Sequence, residues 1–181
     1  MQKLILCLVL ILTAPALNAG PLEAARSPGA VLLMRHATAP GTGDPANMRL
    51  GDCSTQRNLS DAGRDEARQI GARLREAGIV FSQILASEWC RTTETATLMA
   101  LGPVTPFPPA NSFFSNRQDA DRHTADVLAH LAGLPADQRV LIVTHQVNIT
   151  ALTGIVPRSG EIVVARRTAS GLEVLDRLAP D

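Results

Sequence analysis

Three short apolar runs constrain this chain more than any other feature. Ala30–Met34 runs straight into Arg35 and His36 in "AVLLMRHATAP". "SQILASE" carries Ser82–Ala86 into Ser87 and Glu88, and "RVLIVTH" ends on Thr144 and His145. Runs of this length and composition suit strands buried on both faces. Segments with helical spacing separate them. Ser60 stands as an N-cap before Ala67, Ile70, Leu74 and Ala77, and Gly78 is placed to end that helix in a left-handed conformation. "EWCRTTETATLMA" reads as a second helix, Asp119–Leu131 as a third and "NITALTG" as a short fourth. This alternation from 30 to 152 predicts an α/β fold, a three-layer α/β/α sandwich around a mostly parallel central sheet. Two closing strands, "EIVVAR" and "LEVLD", flank a hairpin-like turn at Ala169-Ser170-Gly171. Residues 37–58, rich in Gly, Pro, Asp and Thr, read as one long loop, and 101–118, with four prolines, as another.

In parallel α/β sheets, ligands bind beyond the carboxyl ends of the strands. The three runs deliver Arg35-His36, Ser87-Glu88 and Thr144-His145 to that edge. Arg35 and Arg91 can hold a phosphate through paired N–H donors. A neutral histidine can attack phosphorus and become a phosphohistidine, splitting one hard step into two. A second histidine, cationic or donating, strengthens the cradle. Each residue also has a plainer role open to it. Arg35-His36 could pair ions at a strand end, His145 could be a hydrogen-bonded core histidine, and Arg91 could pair with Glu88 or Glu94 on its own helix. Two histidines directly after two buried strands favour the chemical reading.

The first residues read differently. "MQKLILCLVLILTAPALNAG" has one positive charge, Lys3, then the apolar run Leu4–Leu12, then small residues up to Ala19. That is the layout of a secretory signal peptide, residues 1–19, cut after Ala19; an uncleaved anchor is the alternative. The run is shorter than the ~20 apolar residues a membrane-spanning helix needs, so no stable span is expected after cleavage. Residues 20–29 read as a linker and 30–181 as one domain, placed in the periplasm or secreted. Lys3 is the only lysine, and 17 basic residues balance 17 acidic ones. No basic excess points to nucleic acid. Cys53 and Cys90 remain after cleavage. An oxidising compartment favours a bridge between them over two free thiols. No HExxH, paired CxxC or GxxxxGK[ST] pattern occurs, so no metal or cofactor is expected.

Four pieces in order resemble the histidine phosphatase superfamily, the phosphoglycerate-mutase-like fold. "LLMRHATAP" resembles its Arg-His-Gly/Ala signature, and "NLSDAGRDEARQIG" its L-(S/T)-x-x-G-x-x-(Q/E)-A element. "LASEWCRTTETA" resembles the element with its second arginine, and "VLIVTHQVNI" the strand that ends in its second histidine. The resemblance spans roughly 30–150. It implies His36 as nucleophile, with Arg35, Arg91 and His145 binding the phosphoryl group and Thr38 lining the pocket. It implies a small phosphorylated substrate and a histidine phosphatase domain over 30–181. In outline the chain is similar to the small bacterial envelope members.

The proton donor for the leaving group departs from the family's pattern. One branch has Asp directly after the second histidine, where this chain has Gln146. Another uses a Glu after the second arginine, but 97–134 holds only Asp119, Asp121 and Asp126. Glu88, three residues before Arg91, is the leading candidate, with Asp119 and Asp121 behind it. A macrodipole-complementing role is equally open to Glu88. If no carboxylic acid serves, phosphohistidine or acyl phosphate, with good leaving groups, become the favoured substrates. Trp89, Phe113 and Phe114 are candidates for pocket walls or for core. The competing readings are a phosphoglycerate-type phosphomutase and a non-catalytic anion- or partner-binding protein on the same fold.

Overall fold

The computed structural model describes residues 20–180. The expected signal peptide lies outside them. Six strands form one sheet: β1 (Ala30–Arg35), β2 (Gln83–Ala86), β3 (Val104–Pro106), β4 (Val140–Thr144), β5 (Ile162–Thr168) and β6 (Gly171–Leu178). Five helices accompany them: α1 (Pro21–Arg26), α2 (Asp61–Glu76), α3 (Cys90–Leu98), α4 (Ala120–Ala132) and α5 (Gln146–Thr153). The strand order is β3-β2-β4-β1-β5-β6. The first four are parallel, and β5 and β6 run antiparallel at one edge.

Alternation along the strands divides the core into two layers, because successive strand side chains point to opposite faces. Leu32, Met34, Leu141 and Val143 pack with Leu74 of α2, Ala96 of α3 and Ala24 and Ala25 of α1. Val31, Leu33, Val140 and Ile142 pack on the other face with Val127 and Leu131 of α4 and Ile149 of α5. Both faces of β1 and β4 are therefore apolar, which is why each reads as an unbroken hydrophobic run.

Local signals set the helix ends. The Ser60 hydroxyl accepts from the Gly63 N–H at 3.0 Å and caps α2. At the other end Gly78 adopts φ 69°. Its N–H reaches the Arg75 carbonyl, and the Ile79 N–H reaches the Leu74 carbonyl, the paired bonds of a Schellman terminus. The start of α2 is also pressed against the loop after β1. A Cβ on Gly63 would lie 2.1 Å from the Thr38 carbonyl oxygen, so only glycine fits there.

Two stretches differ from the sequence-based expectation. Residues 21–26, expected within a linker, form α1, whose Ala24 and Ala25 enter the core. A six-residue helix is too short to show a period. Within 101–118, Val104–Pro106 forms β3 beside β2. Proline is tolerated there because β3 is an edge strand, with a side that needs no ladder hydrogen bond.

Cys53 and Cys90 are joined by a disulfide across a sequence separation of 37. It ties the 37–58 loop to the first residue of α3. The Cys90 N–H also donates to the Gln56 side-chain oxygen at 2.9 Å, a second tie at the same place. Closing a loop of this length stabilises the fold by roughly 3–4 kcal/mol through the unfolded state. Replacing both cysteines by serine is expected to lower the urea-unfolding free energy by about 3 kcal/mol; an unchanged midpoint would contradict this.

Candidate active site

The site follows from strand register. β1 and β4 pair in parallel with Arg35 opposite Thr144, and the ladder continues one residue further as the His36 N–H donates to the Thr144 carbonyl at 3.0 Å. His36 and His145 therefore emerge side by side, their ring centroids 5.6 Å apart and their planes at 67°. β2 lies on the other side of β4, and the Ser87 N–H donates to the Val143 carbonyl. This brings Ser87 under His145 and starts α3 close by, with Arg91 in its first turn. His36, Ser87, Arg91 and His145 are all buried polar groups, each no more than 4 % exposed.

Hydrogen bonds decide the protonation of both rings. His36 Nδ1 lies 2.8 Å from the Ala37 carbonyl. A carbonyl only accepts, so Nδ1 carries the hydrogen and the lone pair is on Nε2. Burial lowers the His36 pKa to about 3; the Ala37 bond works against this, and the charges of Arg91, Arg57 and Arg35 add to it. The ring is neutral at pH 7. His145 Nδ1 faces Arg91 Nη2 at 3.3 Å. A guanidinium only donates, so this Nδ1 accepts and the neutral ring's Nε2–H donates to Ser87 Oγ at 2.9 Å. Burial, followed by Arg91, His36, Arg57 and Arg35, holds the His145 pKa well below its ordinary value. Both nitrogens of His145 are thus occupied, and in this state the ring positions Arg91.

A cavity of about 470 Å³ opens over these groups. Arg35, Arg57, Arg91 and Arg117 line it together with His36 and His145, and Asp44 is the one carboxylate among its described lining residues. Four guanidiniums against one carboxylate make the cavity strongly positive. Arg35 Nη1 is held by the Gln146 side-chain oxygen at 3.1 Å and the Pro157 carbonyl at 3.0 Å. Arg57 donates from Nε to the Gly43 carbonyl at 2.7 Å and from Nη1 to the Ala39 carbonyl at 2.5 Å, which folds the 37–58 loop over the site. Asp44 receives both terminal nitrogens of Arg91, at 2.5 and 3.1 Å, and the Trp89 indole N–H at 3.1 Å. Burial, the largest influence on the Asp44 carboxyl, acts to raise its pKa; the Arg91 bonds and charge, Trp89 and Arg57 outweigh it, so the group stays ionised.

Of the residues expected at the site, Arg35, His36, Arg91 and His145 come together, and Phe113 and Phe114 line the cavity. Trp89 backs Asp44 and meets the His145 ring edge-on at 5.3 Å. Thr38 is exposed and outside the cavity lining; its N–H donates to Glu66 at 2.7 Å. Glu88 does not line the cavity either: its carboxylate accepts from Asn111 Nδ2 at 2.7 Å, and its N–H donates to the Asn111 side-chain oxygen. Asp119 pairs with Arg122 and binds Asn116, and Asp121 sits in the first turn of α4, both outside the lining. Sequence reasoning missed Arg57 and Asp44. Both belong to an irregular loop, where no period or motif marks a residue as inward-facing.

The ring states are measurable. A nitrogen-15 NMR titration is expected to show His36 neutral with hydrogen on Nδ1 throughout pH 7 to 5. Because an unfolded histidine titrates near ~6.5, the unfolded chain takes up the proton first, and stability falls as pH drops from about 6.5 towards 3. A His36 midpoint near 6.5, or hydrogen on Nε2, would contradict the assignment.

Comparison with known proteins places this geometry. Residues 31–109, which include Arg35, His36 and Arg91 but not His145, match the histidine phosphatase superfamily (branch 1). The mitochondrial serine/threonine-protein phosphatase Pgam5 of Drosophila grimshawi is 32 % identical over 69 residues, 38 % of this chain. The match spans about a fifth of that relative's length, 21 %. A structure of the protein histidine phosphatase SixA complexed with tungstate superposes with TM-score 0.60 at 17 % identity, covering 83 % of this chain and 97 % of that one. A proposed alpha-ribazole-5′-P phosphatase from Escherichia coli K-12 superposes with TM-score 0.61 at 17 % identity, covering 86 % and 97 %. At these identities the two structures speak for the fold. With residues 31–109 matching the superfamily in sequence and the fold shared along the chain, this protein is similar to the histidine phosphatase superfamily in both its signature residues and its architecture.

Proposed function

We propose that the protein is an exported phosphatase that hydrolyses a phosphomonoester, phosphohistidine or acyl phosphate through a covalent phosphohistidine on His36. The observation that carries this reading is the tautomer of His36: its Nδ1–H is spent on Ala37, so a neutral Nε2 lone pair belongs to a ring that lines an arginine-rich cavity. Arginine forks suit the non-bridging oxygens of a phosphoryl group, and phosphoryl transfer is mainly positioning and charge stabilisation. Nε2 attacks phosphorus, the bond to the leaving oxygen or nitrogen breaks, and water then cleaves the P–N bond to release inorganic phosphate. The chemistry uses side chains alone, with no metal. His145 joins the cradle when an arriving phosphoryl dianion raises its affinity for a proton at Nδ1, turning an acceptor into a donor.

The Cys53–Cys90 bridge supports the exported location, since disulfides persist in oxidising compartments. The signal peptide at 1–19 and the domain at 30–181 belong to the same reading. A phosphoglycerate-type mutase would return the phosphoryl group to an acceptor alcohol; a non-catalytic binder would retain phosphate without turnover.

The purified protein is expected to release inorganic phosphate from an aryl phosphate, and His36→Ala to lose at least about 10³-fold in kcat/KM. Absence of hydrolysis of aryl phosphate, phosphohistidine and acyl phosphate by the wild type would overturn the phosphatase reading. Transfer to an added alcohol in place of phosphate release would indicate the mutase.

A further inference from the structure

Asp44 holds a position that an ordinary structural ion pair does not explain. Its carboxylate occupies both terminal nitrogens of Arg91, whose side chain is 3 % exposed, in the two-point geometry a phosphoryl group would use. It does so at the wall of an open cavity, from a loop, and it is the only acid among that cavity's described lining residues. Glu88 and Asp119 are engaged elsewhere, and Asp121 lies outside the lining. An anion bound to Arg91 and Asp44 cannot both use the same two N–H groups.

We infer that Asp44 is the proton donor and acceptor of this site, held on Arg91 until the substrate's phosphoryl group takes its place. This rests on the phosphatase reading above. Displaced from Arg91, the carboxylate keeps the Trp89 indole N–H at Oδ2 and so stays at the cavity wall. It has lost a cation and gained a neighbouring phosphate dianion. Both changes favour the protonated acid, the opposite of its ionised state in the empty site. In the first step His36 Nε2 bonds to phosphorus, the P–O bond to the leaving group breaks, and the Asp44 proton goes to the leaving oxygen. In the second, the Asp44 carboxylate takes a proton from water, the water oxygen bonds to phosphorus and the P–N bond breaks. Inorganic phosphate, neutral His36 and protonated Asp44 result, and atoms and charges balance.

Two measurements on Asp44→Asn test the exchange and the proton transfer. The amide neither competes as an anion for Arg91 nor donates an acidic proton. Inorganic phosphate is expected to bind Asp44→Asn about tenfold more tightly than the wild type, because no ionic contact must be given up first. The loss in kcat is expected to be about 10²-fold greater on glycerol phosphate, whose alkoxide needs a proton, than on nitrophenyl phosphate, whose phenolate does not. A residue that merely shapes the loop would weaken phosphate binding and lower turnover of both esters alike. Unchanged or weaker phosphate affinity in Asp44→Asn overturns the inference, as does equal loss on the two esters. A wild type inactive on both esters but active on phosphohistidine or acyl phosphate would overturn the inference and leave the phosphatase reading standing, whereas inactivity on all four would be a failure of that reading itself.

Discussion

The parallel pairing of β1 with β4 is the contact on which the site depends. Arg35 stands opposite Thr144, and the next hydrogen bond, from the His36 N–H to the Thr144 carbonyl, fixes where both histidines leave the sheet. A slip of one residue would turn every side chain of a strand to the other face. Here such a slip is opposed on both sides of the sheet, because Leu32 and Met34 are buried in one layer while Val31 and Leu33 are buried in the other. The apolar runs that build the core therefore also set the spacing of His36 and His145.

Electrostatics then separates the roles of two chemically identical side chains. Both rings are buried among arginines and neutral, yet their hydrogen bonds point opposite ways. Ala37 takes the hydrogen of His36 Nδ1, whereas Arg91 takes the lone pair of His145 Nδ1. The ring with a free lone pair is suited to attack; the other holds the arginine. The disulfide beside Arg91 and the Arg57 bonds to the loop carbonyls keep the loop that bears Asp44 over the same point. Gathering four guanidiniums around one carboxylate in a single cavity makes sense as preparation for an anion, since charge withdrawn from water without a partner is costly to a fold.

Much of this was legible in the sequence because it is written locally. An apolar run followed by a polar pair, a serine three residues before a glycine N–H, and a glycine after the last helical turn each act over a few positions. β3 was illegible because three residues between prolines carry no alternation, and only their neighbour β2 makes them a strand. α1 was illegible for want of length. Glu88 looked suitable by its nearness to Arg91 along the chain, but Asn111, 23 residues away, claims its carboxylate. Asp44 reaches Arg91 across 47 residues, a contact that exists only once the loop has folded back. Loop residues that arrive from far along the chain are where sequence reading fails here.

The central claim is that hydrogen bonding leaves Nε2 of His36 as the attacking atom. The most direct measurement is to trap the phosphorylated protein at short times with an aryl phosphate and locate the phosphorus by NMR and peptide mapping. The account predicts one phosphoryl group, on Nε2 of His36. Phosphorus on Nδ1 of His36 or on His145 would contradict it.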